Sequence, residues 1–236
     1  RRHSDLVTMA PLAPELRRDL EKAVVSARGL AESAAKAVLA RLGVEEDESP
    51  AGLSAELRDL RTALRERAKA LGGGVRSQGF PLLVEEIAYE QWHRMLFARF
   101  LAENDLLLHP EGAPVSLEDV RELAAEEGQR DPWVLAARYA AAMLPGIFRA
   151  ADPANRVALA PEDRSRMEAV LERLPASLFT ADDALGWVYQ FWQSERKDEV
   201  NKRGDKIGGA DLPAVTQLFT EHYMVRFLLE NSLGAW

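Results

Sequence analysis

Ile87-Ala88-Tyr89-Glu90-Gln91-Trp92-His93-Arg94-Met95-Leu96-Phe97-Ala98-Arg99-Phe100-Leu101 is the stretch that decides the fold. It has no proline or glycine. Ile87, Trp92, Met95, Leu96, Phe97, Phe100 and Leu101 together cover more of a helical circumference than a surface helix would show. A helix apolar on so many sides belongs at the centre of a core. Its start is set near Pro81, a residue suited to the first helical turn, and its end near Leu107.

Working outward, Leu16, Leu20, Val24, Ala27, Leu30, Ala34, Val38 and Leu42 recur at helical spacing, predicting one long amphipathic helix from Pro14 to Leu42. The acidic stretch Gly43–Gly52, broken by Pro50, stops it. A second helix is expected over Leu53–Leu71, and the two are read as a helical hairpin. Gly72-Gly73-Gly74 follows a helical pattern and lacks the preceding strand a phosphate loop needs, so it reads as a linker. Later helices are expected at 116–128, 132–144 and 161–173, the first opened by Ser116 and Asp119 in capping-box spacing. Segment 145–160 reads as loop. Thr180-Ala181-Asp182-Asp183 repeats the capping pattern before a helix carrying Trp187, Val188, Phe191 and Trp192, which Gly204 ends. A last helix is set near Thr220. The expected fold class is all-α, an irregular multi-helix bundle, divided as 1–75, 76–204 and 205–236.

With 236 residues, 47% hydrophobic and 29% charged, the chain can bury a substantial core. It has no cysteine, which excludes disulfides and thiolate metal sites and suits a reducing cytoplasm. No stretch reaches the roughly 18 apolar residues of a membrane span, so a cytoplasmic protein without membrane contact is expected. The formal net charge of −8 excludes a basic nucleic-acid coat and confines any DNA contact to a local patch. Arg196, Lys197, Lys202, Arg203 and Lys206 form the best basic cluster, interleaved with Glu195, Asp198, Glu199 and Asp205. Phosphate contact and an ordinary salt-bridged face both fit it.

His3, His93, His109 and His222 lie too far apart in sequence to suggest a metal site. Glu195-Arg196-Lys197 has the Glu-x-Lys form of a nuclease, but Asp182 lies thirteen residues before Glu195 on a helical pattern, about 20 Å away at about 1.5 Å per residue. That distance disfavours a shared magnesium ion.

Asp182-Asp183-Ala184-Leu185-Gly186-Trp187-Val188-Tyr189-Gln190-Phe191-Trp192, then Glu195-Arg196-Lys197-Asp198-Glu199-Val200-Asn201, then Asp211-Leu212-Pro213-Ala214-Val215-Thr216-Gln217-Leu218-Phe219-Thr220 form an ordered series of phrases. The series resembles a block in the large adenine-specific (N6) DNA methyltransferases of bacteriophage-exclusion (BREX) and DISARM defence systems, which are related to the methylase half of fused restriction-modification enzymes. Ile87–Leu101 is similar to an aromatic helix of the same family. Residues 1–75 show no resemblance beyond helicity.

The resemblance implies a helical region just upstream of a Rossmann-like catalytic domain. The parent enzyme would use S-adenosylmethionine to methylate an adenine flipped from double-stranded DNA, alongside other defence subunits. It further implies that Gln217, Phe219, Thr220 and Tyr223 belong to the first element contacting the cofactor, with Thr220 opening the helix. A threonine there offers a hydroxyl and nearby free N–H groups, although the same residue is also an ordinary N-cap. Family members commonly carry proline after this threonine, where this chain has Glu221. Neither a glycine-containing cofactor loop nor an Asn-Pro-Pro-Tyr-type tetrapeptide occurs, since Asp131-Pro132-Trp133 and Asp152-Pro153-Ala154 lack the second proline. No catalytic residue is therefore expected here, and the chain alone is expected to be inactive. A non-enzymatic helical adaptor is the alternative.

Overall fold

The computed structural model describes residues 11–72, 78–129, 131–204, 207–209, 211–216 and 219–234. Among these are eleven α-helices and no strand, and 72% of the described residues are helical, as the expected all-α class requires. The chain divides into two compact units, Ser26–Arg173 and Arg1–Val25 with Leu174–Trp236. The first helix, α1 (Pro14–Arg41), contributes to both.

In Ser26–Arg173 the centre is α3 (Phe80–Glu103). Leu83, Ile87, Ala88 and Trp92 on it are fully buried. It packs against α2 (Ala55–Gly72), α5 (Pro132–Met143), α7 (Pro161–Glu172) and a 3-10 turn, Pro153–Arg156. Helix α3 stops at Glu103, short of the expected Leu107. Asn104 follows, and Asp105 turns into the left-handed region with φ 56°, a conformation that short polar side chains tolerate. Leu107 is nevertheless buried, carried back to the core by this turn.

The turn after α1 is held from α2. Arg61, only 8% exposed, donates from Nε to the Gly43 carbonyl at 3.0 Å and from Nη2 to those of Glu46 at 2.6 Å and Glu48 at 3.1 Å. Arg65 Nη1 donates to the Val44 carbonyl at 2.6 Å. Two long side chains thus bind carbonyls of the turn that ends α1. Gly43 has φ 61°, and a β-carbon there would stand 2.6 Å from Pro50 Cδ, so only glycine fits beneath the proline.

Helix α4 (Leu117–Glu126) carries the expected capping box. Asp119 N–H donates to Ser116 Oγ at 3.1 Å, and Ser116 N–H donates to Asp119 Oδ2 at 2.7 Å. Asp131 caps α5, accepting from Trp133 N–H at 3.0 Å, with Pro132 in the first turn. Segment 145–160, expected as loop, holds α6 (Pro145–Phe148) and the 3-10 turn, both opened by proline.

The other unit contains α8 (Ala176–Phe179), α9 (Ala184–Arg203), α10 (Leu212–Thr216) and α11 (His222–Ser232). Its core gathers Leu12, Leu20 and Val24 with Leu178, Phe179, Trp187, Phe191 and Trp192. Thr180 does not open α9. Its hydroxyl donates back to the Ser177 carbonyl at 3.3 Å, and α9 begins after Asp183, which makes no side-chain cap bond. Asp183 accounts for the difference, because its carboxylate is spent on the Leu12 N–H and the Trp187 indole instead of the Thr180 N–H. Gly204 ends α9 in the left-handed conformation, φ 66°, as its sequence position predicts. None of the described helices is long and apolar enough to cross a membrane. The linker glycines Gly73 and Gly74 lie outside the described residues.

Candidate functional site

The first turns of α9 bring the ordered phrases of the sequence together. Asp183, 7% exposed, accepts from Leu12 N–H through Oδ1 at 2.7 Å and from Trp187 Nε1 through Oδ2 at 2.9 Å. A buried carboxylate with both oxygens on donors orients the indole and ties residues 11–13 to α9. The Arg17 guanidinium lies 4.6 Å from the Trp187 ring centroid, in cation–π range. Phe191 stacks on Trp187 one helical turn later, with centroids 5.5 Å apart.

Phe219 sits against this surface. Its ring meets Trp187 edge-on at 5.3 Å, and its backbone N–H donates to Gln190 Oε1 at 3.1 Å. Position 186 must be glycine for this approach. A β-carbon there would fall 2.0 Å from Phe219 Cδ2 and 2.1 Å from Cε2, well inside contact distance. Gly186, Trp187 and Gln190 together form a seat for Phe219, and residues 219–221 lead from it into α11. Glu221 Oε1 is 4.0 Å from Arg17 Nη1, a weak and partly exposed ion pair.

The expected cofactor residues divide accordingly. Phe219 is half-buried and packed in the seat, Thr220 is exposed, and Tyr223 is 63% exposed. Gln217 lies outside the described residues. Thr220 is not the N-cap it was expected to be. The cap position of α11 falls on Glu221, whose side chain makes no cap bond, because Phe219 and the Gln190 carboxamide set where the chain enters the helix. The first-turn N–H groups of α11 therefore have no side-chain cap.

The basic cluster also divides. Arg196 Nη2 donates to Asp211 Oδ1 at 2.8 Å, and Arg203, one heptad later on the same face of α9, donates to Oδ2. The Arg203 hydrogen bond, with both positive charges, holds the Asp211 carboxyl below its usual pKa. The pairing fastens α10 to α9. Lys197 is half-buried and Lys202 exposed, while Lys206 lies outside the described residues.

Sequence reasoning missed the roles of Gly186, Gln190, Asp183 and Asp211, although each stands in a quoted phrase. Glycine inside an otherwise strong helical pattern was the one available signal, because it weakens a helix unless something approaches closely.

No family model matches the chain. Two curated relatives do. Over an alignment 202 positions long that covers 71% of this chain, it is 29% identical to the adenine-specific methyltransferase BrxX of Escherichia coli O9:H4 (strain HS). The chain is thus similar to adenine-specific methyltransferases of BREX phage-defence systems. Adenine-specific methyltransferase PglX of Lacticaseibacillus casei (strain Zhang) matches at 27% identity over an alignment 231 positions long that covers 78% of the chain. The chain spans only 16% and 19% of the length of these two relatives. The resemblance to BREX adenine-specific methyltransferases is thereby borne out.

Proposed function

We propose that this chain is the helical amino-terminal part of a phage-defence DNA methyltransferase whose full polypeptide transfers a methyl group from S-adenosylmethionine to N6 of adenine in double-stranded DNA. In this reading residues 1–204 buttress the catalytic domain, and 205–236 are the linker and first cofactor-contacting element. The observation carrying it is the Phe219 seat. Two phrases shared with the methyltransferase family, about thirty residues apart, meet through Gly186, Trp187 and Gln190. That contact holds the entry to α11, where uncapped N–H groups and Thr220 would face the polar atoms of the cofactor.

Helix α11 supplies further support. Tyr223, Phe227, Leu228 and Leu233 are 63%, 64%, 62% and 74% exposed, and Met224, Val225 and Leu229 are exposed as well. A helix with so much apolar surface in water needs a cover. The relatives are several times longer than this chain, so the proposed cover is the catalytic domain of the parent polypeptide. Lys197, Lys202 and Lys206 are the basic residues best suited to DNA phosphates, because Arg196 and Arg203 share Asp211. The setting would be the cytoplasm, with other defence subunits as partners.

Calorimetry tests the reading in two arms. The 236-residue chain alone should bind no S-adenosylmethionine, and the parent polypeptide should bind it and deposit N6-methyladenine in unmethylated duplex DNA. A parent that binds no cofactor and leaves the DNA unmodified would favour the adaptor.

A further inference from the structure

Within Ser26–Arg173, a cavity of about 370 Å³ opens between α3, α5, α6, the 3-10 turn and α7. Ligand pockets begin at about 300 Å³. One side of the wall is apolar, formed mainly by Met95, Trp133, Phe148 and Met167. The other side is charged, and the charge is lopsided. Arg94, Arg138, Arg156 and Arg164 line the cavity against the single carboxylate of Asp131.

Two of the four arginines have ion-pair partners. Arg164 pairs with Asp131 at 2.5 Å, and Arg138 pairs with Glu127 at 2.6 Å. Arg94 donates only to neutral oxygens, the Asn155 carbonyl and Gln91 Oε1, each at 3.0 Å. Glu90 and Asp131, whose charges also act on Arg94, pair with Arg149 and Arg164. Arg156 stands exposed at the cavity. A pocket lined by four arginines and one carboxylate, with Arg94 and Arg156 in no ion pair among the described residues, in a chain whose formal net charge is −8, is built for a negative guest.

The walls also hold unmade hydrogen bonds. Arg94 Nε and Trp133 Nε1 are buried donors without an acceptor, and Asn155 Oδ1 is a buried acceptor without a donor. These are three of the four such side-chain atoms among the described residues. Buried polar atoms normally have partners, and their concentration around one cavity marks a place where a ligand can complete them through small side-chain rotations.

We infer that this cavity binds a small organic oxyanion with a flat, unsaturated ring bearing an amino group, the chemistry shared by adenosine monophosphate and aminobenzoates. The oxyanion pairs with Arg94 and Arg156. The ring lies among Trp133, Phe148, Met95 and Met167, and its amino group donates to Asn155. This site is independent of the Phe219 seat and of the methyltransferase reading.

The test is calorimetric titration of the 236-residue chain with adenosine 5′-monophosphate, 4-aminobenzoate and inorganic phosphate. Saturable binding of one organic anion, with phosphate at least about tenfold weaker, is expected. Arg94→Met should weaken it about tenfold or more, the loss of a charge-assisted hydrogen bond. Because Arg94 also holds the 3-10 turn, Ala137→Phe provides a second variant that fills the cavity and removes no charge, and it should abolish binding. The inference is overturned if neither organic anion binds, if phosphate binds as well as they do, or if Ala137→Phe leaves binding intact.

Discussion

Gly186→Ala should lower stability in this chain and raise it once Phe219 is removed. In a solvated helix interior, alanine is favoured over glycine by about 1 kcal/mol. At position 186 the new β-carbon would meet three Phe219 ring atoms at 2.0, 2.1 and 2.8 Å. Carbon atoms rest about 3.5–4 Å apart, so the ring must withdraw by roughly 1.5 Å. Withdrawal forfeits the edge-on contact with Trp187, worth about 0.5–1.5 kcal/mol, and about half of a fully buried Phe side chain's 1.5–3 kcal/mol. The net expectation is a loss of about 1 kcal/mol in the otherwise unchanged chain. In a Phe219→Ala background the obstacle is gone and the same substitution should gain about 1 kcal/mol. The coupling is therefore about 2 kcal/mol, within the range for residues in contact. Urea denaturation of the four proteins of this cycle, followed by tryptophan fluorescence and circular dichroism, measures it. An equal gain from Gly186→Ala in both backgrounds would refute the seat.

Three more outcomes are expected. His93 stacks between Tyr89 and Phe97, and burial, with the positive charge of Arg149, lowers its pKa from 6.5 to about 4. The unfolded chain then takes up the proton first, so stability is full above pH 6.5 and falls as pH drops toward about 4, by at most about 3 kcal/mol at 1.36 kcal/mol per unit. At pH 5.5 the loss is about 1 kcal/mol, and His93→Phe should abolish it in urea titrations at pH 7.5 and 5.5; an unchanged pH dependence would refute the assignment. Arg61→Met removes the charge-assisted bonds to turn carbonyls and should cost about 2–3 kcal/mol while opening 42–52 to limited proteolysis. Thr220→Ala should leave the stability of this chain within about 0.5 kcal/mol, since its side chain is exposed and caps nothing, yet weaken S-adenosylmethionine affinity in the parent polypeptide. Unchanged affinity in calorimetry would remove Thr220 from the cofactor site.

Local features were legible without the structure. The apolar circumference of Ile87–Leu101 placed α3 at the centre, where Trp92 is fully buried. Ser116 and Asp119 formed their box because its atoms lie within four residues of each other. Thr180-Ala181-Asp182-Asp183 has the same spacing and failed. Leu12, 171 residues away, and the Trp187 indole drew Asp183 off, and no local rule weighs such competitors.

What the sequence by itself determined is therefore the helical class, the central helix, the better caps and the kinship with adenine-specific methyltransferases, because period, propensity and ordered phrases are properties of neighbouring residues. Only the tertiary structure decided that Phe219 rests on Gly186, that Arg196 and Arg203 meet at Asp211, and that four arginines line one cavity. Those pairings depend on which helices pack together and at what distance, so residues remote in the chain became partners only when the core closed.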